Sequence, residues 1–250
     1  MTLILEKVNH TKPKPGKVTV QDIVERLTTV PLPTLEEFET IVHASQSNIY
    51  ARSHRSAAMF EIGNGGVPNL YEFFTLEYAK ALKAYLFERY TKQVRILEVG
   101  AGRGHFARQM RELGAQWLAI DDGSWDESVR TDWHNVAKAS IESDLLHLTR
   151  HHKIDVIFQS WMPYEADFSV FFRECPIEEY ILLGETDCGC CGSYEMWGGT
   201  SDWENDIHTP PGYEKDGWRR VNLDKLPSNP CRTDELGSYY HSQTVSFRRS

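Results

Sequence analysis

The sequence predicts an α/β protein with a mostly parallel central sheet, a terminal antiparallel strand and an N-terminal helical cap. From residue 94 onward, short apolar runs alternate with amphipathic segments, which is the pattern of parallel strands joined by crossover helices. Before that point, the recognisable segments have helical spacing. We therefore divide the chain into a flexible tail (1–18), a helical cap (19–92) and an α/β domain (93–250).

The composition is that of a globular protein, because 40% of the 250 residues are hydrophobic and 25% are charged. A formal net charge of −9 argues against nucleic acid as a partner, although residues 52–55 form a short basic stretch suited to one anionic group. The first ten residues lack the apolar core of a secretion signal, and no apolar run is long enough to cross a bilayer. We expect a cytoplasmic protein without membrane contact, whose oligomeric state the sequence leaves open.

Three helices are predicted in the cap. The first covers about Val20 to Leu27. The second begins at Thr34, where Glu37 completes a capping box. The third covers about Asn69 to Thr91, with Asn69 as its N-cap and aromatic residues at helical spacing along one face. These aromatic and apolar residues are Tyr71, Phe74, Tyr78, Leu82 and Tyr85.

The α/β domain contains short apolar runs that we interpret as strands. A helix is predicted between the first two of them, from His105 to Leu113, and Gly114 ends it. The predicted strands cover residues 94–99, 116–120, 136–140, 154–158 and 179–183, and a terminal pair covers 218–223 and 239–248.

A glycine loop, EVGAGRG, follows the first strand and precedes this helix, which is where such a loop binds a ligand. Dinucleotide-binding loops have the spacing Gly-x-Gly-x-x-Gly, with a pyrophosphate at the helix N-terminus. This chain has Gly-x-Gly-x-Gly, and His105 occupies the position of the third dinucleotide glycine. Glu98, two residues before the first glycine, suits a cationic ligand better than a pyrophosphate. A nicotinamide-dependent oxidoreductase is therefore the less favoured alternative.

The segment ILEVGAGRGHFAR (96–108) resembles motif I of the class I, Rossmann-like, S-adenosylmethionine-dependent methyltransferases. The resemblance covers roughly residues 94 to 185 and implies S-adenosylmethionine as the cofactor, with its methionine end held by the loop. It implies methyl transfer to a small molecule or a protein side chain. The alternative is an inactive protein of this fold that serves as a binding or scaffold partner. The loop residues assigned to the cofactor are Glu98, Gly100, Ala101, Gly102 and Gly104.

The resemblance also implies acidic residues after the second and third strands. Asp121, 23 residues after Glu98, is assigned to the ribose hydroxyls, with Asp122 as the fallback. Asp144 is assigned to the adenine amine, and the backbone N–H of Leu145 is expected to donate to the ring. Gln159, directly after the fourth strand, is assigned to the cofactor as well.

The acceptor site is expected after the fourth strand, where QSWMPY (159–164) faintly resembles the Asn/Asp/Ser-Pro-Pro-Tyr loop of amino-methyltransferases. The segment departs from that loop, since it has one proline and two residues between Ser160 and that proline. We assign Ser160, Trp161 and Tyr164 to the acceptor site. Glu185, at the end of the fifth strand, is assigned as a base or a ligand for a cationic acceptor.

Four cysteines raise the question of zinc, namely Cys188, Cys190, Cys191 and Cys231. Their spacing lacks the usual Cys-x-x-Cys pair, so we expect no metal and leave structural zinc as the alternative. An odd total of five cysteines in a chain without a secretion signal favours reduced thiols. The nearby Trp197, Trp203 and Trp218 suggest an aromatic lid or wall beside the site.

Overall fold

The computed structural model describes residues 20–45, 70–124, 135–187, 190–198, 210–230 and 242–250 of the chain. Within these parts, a seven-stranded sheet has the strand order β3-β2-β1-β4-β5-β7-β6. The strands are β1 (Arg95–Val99), β2 (Gln116–Asp121), β3 (Ala137–Lys138), β4 (Val156–Ser160), β5 (Glu179–Glu185), β6 (Trp218–Asn222) and β7 (Ser242–Arg249). The helices are α1 (Val20–Thr28), α2 (Leu35–Ser45), α3 (Leu76–Arg89), α4 (His105–Glu112), α5 (Ile141–His152), α6 (Ser169–Glu174), α7 (Tyr194–Trp197) and α8 (Gly212–Lys215).

The sheet is parallel from β3 to β5, and β7 is antiparallel to both of its neighbours, β5 and β6. Helix α4 connects β1 to β2, helix α5 connects β3 to β4, and helix α6 connects β4 to β5. This arrangement is the Rossmann-like methyltransferase fold that the resemblance implied. The predicted strands are confirmed with small shifts of their ends, and the weakest of them, β3, is the shortest.

Helices cover both faces of the sheet. On β4, Val156 and Phe158 belong to an apolar core shared with α3 and α4, whereas Ile157 belongs to a second core shared with α5 and α6. Successive side chains of a strand point to opposite faces, so this alternation places the two helix pairs on opposite sides. All three side chains are fully buried, as expected for a parallel strand that is covered on both faces.

The first two helices form as predicted. The N–H of Glu37 donates to Thr34 Oγ1 over 3.1 Å, and the N–H of Thr34 donates to Glu37 Oε2 over 2.9 Å, which is the reciprocal capping box. The N–H of Leu32 donates to Gln109 Oε1 of α4 over 2.8 Å and thereby fastens this region to the α/β core. The two helices share a small apolar cluster of Ile23, Val24, Leu27, Phe38 and Phe73.

The third helix begins later than predicted. Its N-cap is Thr75, whose Oγ1 accepts from the N–H of Tyr78, and residues 70–75 lie outside the helix. Asn229 Oδ1 accepts from both the N–H and the hydroxyl of Thr75, and the N–H of Phe73 donates to Pro230 O over 3.0 Å. These bonds to a distant loop hold the segment in a non-helical conformation. The predicted start at Asn69 was therefore wrong.

Helix α3 packs into the same core as the strands, through Tyr78, Leu82 and Leu86. Its C-terminal end is joined to β5 by Glu179, whose side chain is fully buried at the amino edge of the sheet. Glu179 accepts hydrogen bonds from Tyr85, Arg89, Tyr90 and Ser246, and Arg248 lies 3.6 Å away. Burial and the negative charge of Glu179 raise the pKa of Tyr85 to about 12. The predicted boundary between residues 92 and 93 thus falls between α3 and β1, which share one apolar core.

In the described parts of the chain, no helix combines the length and apolar character needed to cross a membrane. The basic stretch 52–55 and residues 239–241 of the predicted last strand lie outside the described residues.

Candidate cofactor and acceptor site

The carboxyl ends of the parallel strands bring the predicted site residues to one edge of the sheet. Strand β1 lies between β2 and β4, so the chain order reverses there, and open α/β sheets bind their ligands at such a point. Gly100 follows β1, Asp121 ends β2, Ser160 ends β4 and Glu185 ends β5. The topology therefore assembles residues that are far apart in the sequence.

The glycine loop has the backbone conformation that its sequence predicts. Gly100, Gly102 and Gly104 have φ angles of 67°, 54° and 77°, which glycine adopts at much lower cost than other residues. The N–H of Ala101 donates to Ile120 O over 3.0 Å, so the loop is fastened to the end of β2. Gly104 is the N-cap of α4, so the loop leads directly into the N-terminus of that helix.

Asp121 is bonded to this loop. Its Oδ2 accepts from the N–H of Gly102 and its Oδ1 from the N–H of Gly123, both over 2.8 Å. Partial burial raises the pKa of Asp121 and the charge of Asp122 adds to this effect, while the two hydrogen bonds oppose it. Asp122 is exposed and accepts a local turn bond from the N–H of Ser124 over 2.8 Å. The geometry therefore favours Asp121 over Asp122 as the carboxylate that belongs to the glycine loop.

Glu98 lies beneath the loop and is 4% exposed. Trp117 Nε1 donates to Glu98 Oε2 over 2.6 Å. Burial raises the pKa of Glu98 to about 8, although the bond from Trp117 and the charge of Arg111 oppose the rise. The carboxyl is thus enclosed, and its influence on a ligand above the loop is electrostatic.

Gln159 presents a buried hydrogen-bond acceptor at the same place. The residue is 3% exposed, and its Oε1 has no hydrogen-bond partner among the described residues. Its Nε2 lies beside the loop, because a Cβ built on Gly100 would be 3.6 Å from it. Buried acceptors are normally satisfied, so this oxygen is available to a donor from a bound ligand or a water molecule.

The predicted adenine contacts are only partly compatible with the structure. Asp144 Oδ2 accepts from the N–H of Ser140 over 2.9 Å and so caps α5. Leu145 is 1% exposed in the core, and its N–H lies beyond the first turn, where the helix itself uses it. The expected N–H donation from Leu145 is therefore wrong. The segment directly after β3 is bonded to the end of β2, because the N–H of Ala139 donates to Asp121 O over 3.1 Å.

Trp161 is fixed at the start of the loop after β4. Its backbone is left-handed, with φ 55°, which is unusual for a bulky residue, and its N–H donates to Leu183 O over 2.7 Å. Its Nε1 donates to Glu72 Oε2 over 2.8 Å, and its ring stacks on Tyr71 at a centroid distance of 5.6 Å. Strained backbone of this kind persists only where several contacts hold it, and it clusters at functional sites.

Glu185 and Glu72 approach the same face of the sheet. Glu185 is 3% exposed, and its Oε2 accepts from the N–H of Cys190 over 2.8 Å. Ser242 is paired with Glu185 across β5 and β7, and its hydroxyl donates to Glu72 Oε1 over 3.0 Å. Glu72 is 5% exposed. Sequence reasoning missed it as a site residue, because it belongs to the cap and only the tertiary fold brings it to Trp161.

The other two predicted acceptor residues differ in exposure. Ser160 is half-buried at the end of β4, opposite Leu183, whereas Tyr164 is 68% exposed. Their roles in the acceptor site stay predictions.

The cysteine region is described only in part. Cys190 is exposed, whereas Cys191 is buried, and burial raises the pKa of Cys191 to about 12. Cys188 and Cys231 lie outside the described residues, and the described ones contain no group of three or more side chains arranged to hold a metal ion.

The predicted aromatic lid does not form from Trp197 and Trp218. Both side chains are buried in the apolar core, and Trp197 Nε1 donates to Cys191 O over 2.7 Å. Their large apolar surfaces are more stable inside the core than over a crevice. Trp203 lies outside the described residues.

No family model and no curated protein matches the chain. It is similar to the solved structure of magnesium protoporphyrin IX methyltransferase from Synechocystis PCC 6803 with bound SAH, at 9% identity over 82% of this chain and 90% of that one, with a TM-score of 0.43. It is also similar to EvdMO1, at 16% identity over 81% of this chain and 49% of that one, with a TM-score of 0.43. A structure from Thermoplasma acidophilum has 12% identity over 76% of this chain and 95% of that one, with a TM-score of 0.40.

Proposed function

We propose that the chain is an S-adenosylmethionine-dependent methyltransferase that acts on a small molecule or a protein side chain. The observation that carries the proposal is Asp121, a half-buried carboxylate bonded to the glycine loop at the switch point of the sheet. A carboxylate has about four acceptor positions, and the N–H groups of Gly102 and Gly123 take two of them. The remaining positions suit the two hydroxyls of a ribose.

The same contact disfavours a dinucleotide. A pyrophosphate in this kind of loop needs backbone N–H donors at the helix N-terminus and no negative charge beside them. Here the N–H of Gly102 already donates to Asp121, and Glu98 lies beneath the loop. S-adenosylmethionine carries a sulfonium and an ammonium group instead, and the unpartnered Oε1 of Gln159 is suited to accept from that ammonium.

When bound, S-adenosylmethionine supplies an activated methyl group on sulfur. The residues of this chain then align the acceptor for in-line attack. Trp161 and Tyr71 form an aromatic wall that excludes water, and Ser160 lies beside them at the end of β4. Glu185 orients the acceptor group and accepts its proton, a role that suits a carboxylate at the end of β5.

Calorimetric titration of the purified protein with S-adenosylmethionine tests the cofactor. Asp121→Asn removes the charge that would bind two ribose hydroxyls at about 1.5 kcal/mol each, so we expect roughly 100-fold weaker binding. Asp122→Asn is the matched control, because that carboxylate makes a local turn bond, and it should change the affinity by less than about twofold. No binding to the unmodified protein, or binding of NADH in its place, would refute the proposal.

Transfer is tested separately with methyl-labelled S-adenosylmethionine and a panel of amines, phenols and proteins. Label on an acceptor supports catalysis, and its loss in Glu185→Gln supports the assigned role. Cofactor binding without transfer to any acceptor would instead favour an inactive binding protein.

A further inference from the structure

Glu98 is placed where it can respond to the charge of a ligand in the glycine loop. It lies on β1 two residues before Gly100, on the sheet face that α4 covers, since Trp117 bonds it and stacks edge-on against Phe106 of that helix. The glycine loop leads from β1 directly into α4. The carboxyl is therefore enclosed below the loop and shielded from solvent.

The surroundings of Glu98 have opposing effects on its protonation state, so a nearby charge can decide which form is favoured. Burial favours the neutral acid, while one hydrogen bond from a neutral donor and one cation favour the carboxylate. Among the described residues, the titratable, charged or hydrogen-bonding groups that face it are Tyr78 of α3, Arg111 of α4, and Trp117 and Asp121 of β2. An added positive charge above the loop would shift this balance toward the carboxylate.

The cofactor and the product of the proposed reaction differ in one such charge. S-adenosylmethionine has a positively charged sulfonium, and S-adenosylhomocysteine has a neutral thioether in its place. Their ammonium, carboxylate, ribose and adenine groups are the same. Only the charge of the sulfur and one methyl group distinguish them.

We propose that Glu98 is a specificity-determining residue that distinguishes the cofactor from the product, being ionised when the sulfonium compound is bound and protonated when the thioether is bound. This inference rests on the proposed function. It makes the exchange of product for cofactor a proton-coupled step, in which cofactor binding releases the proton of Glu98 and product binding retains it.

The sign of the pH dependence follows from linkage. In the protein without ligand, burial holds the pKa of Glu98 at about 8. The sulfonium lowers this pKa, so the affinity for S-adenosylmethionine rises as the pH increases through this range. If the pKa of Glu98 falls by one unit, the affinity for S-adenosylmethionine rises about tenfold across this pH range. The sulfonium also lowers the pKa of the ligand's own ammonium group, so the contribution of Glu98 is the difference between the unmodified protein and Glu98→Gln.

The test measures the affinities for S-adenosylmethionine and S-adenosylhomocysteine by calorimetry between about pH 6 and pH 9. Titrations in two buffers with different heats of ionisation give the number of protons released on binding. Relative to Glu98→Gln, we expect the ratio of affinities in the unmodified protein to rise about tenfold in favour of S-adenosylmethionine, with additional proton release for that ligand. In Glu98→Gln this rise should be absent.

Two further variants keep the test decisive. Trp117→Phe removes the hydrogen bond that lowers the pKa of Glu98, so the midpoint of the rise should move to higher pH, even if Glu98→Gln proves too unstable to measure. His105→Gln removes the imidazole at the start of α4, and the rise should persist in it.

The same pH dependence of the ratio in the unmodified protein and in Glu98→Gln, or a rise that disappears in His105→Gln, would overturn the inference and leave the proposed function standing. Failure of S-adenosylmethionine to bind at any pH would instead refute the proposed function.

Discussion

The buried carboxylate of Glu179 leads to a specific prediction about the stability of the protein. Glu179→Gln keeps the volume of the side chain but removes its charge, while Arg89 and Arg248 stay in place. Arg89 Nε donates to Glu179 over 2.7 Å, and Arg248 lies 3.6 Å away. Tyr90 also donates to this carboxylate, over 2.8 Å. The substituted amide cannot accept from all of these donors at once.

The size of the effect follows from burial. Removing one partner of a buried pair costs about 3–5 kcal/mol, because the remaining charge loses its compensation. The side chains of Arg89 and Arg248 are 28% and 15% exposed, so water restores part of that loss. We therefore expect the free energy of unfolding to fall by about 3 kcal/mol, which corresponds to a fall in Tm of roughly 6–12 °C for a chain of this size.

Urea unfolding and thermal melting measure this loss, and the neighbouring Glu178 provides a matched control. Glu178 pairs with Lys92 at the surface and is 53% exposed, so Glu178→Gln should cost less than about 0.5 kcal/mol. Affinity for S-adenosylmethionine should be unchanged in both variants, because these residues lie at the amino edge of the sheet, opposite the glycine loop. If Glu179→Gln costs no more than Glu178→Gln, the stabilising role of this network is refuted.

Two pairs of substitutions test contacts at the carboxyl edge. A Cβ on Gly184 would lie 2.5 Å from Cys191 Sγ, so Gly184→Ala should lower the free energy of unfolding by about 1–3 kcal/mol. Adding Cys191→Ala should recover part of this loss, as measured by urea unfolding. If the destabilisation of the double variant is the simple sum of the two single effects, the contact is contradicted. A double-mutant cycle of Glu72→Ala and Trp161→Phe should show a coupling energy of about 1.5 kcal/mol for the charged hydrogen bond that joins them. A coupling near zero would show that Glu72 does not hold the indole.

Local signals in the sequence predicted the glycine loop and the second helix well. Gly100, Gly102 and Gly104 have the positive φ angles that their spacing indicated, and Thr34 forms the capping box with Glu37. Each of these features depends on residues only a few positions apart. Backbone sterics and short-range hydrogen bonds are sufficient to determine them.

The errors arose where distant residues override local preference. Asn69 and the aromatic spacing after it suggested a long helix, but Asn229 bonds Thr75 and delays its start. Trp197 belongs to a glycine-rich and polar segment for which we predicted an aromatic lid, but its side chain is buried in the core. Neither competing contact leaves a trace in the sequence near the residue that it controls.

The sequence by itself therefore determined the α/β class, the order of strands and helices along the chain, and the glycine loop after the first strand, because these depend on periodicity and local backbone chemistry. Only the tertiary structure decided which carboxylates meet at the site. It bonds Asp121 to Gly102, encloses Glu98 beneath the loop and brings Glu72 of the cap to Trp161. The reason is physical: parallel strands gather their carboxyl ends at one edge, whatever the distance between them along the chain.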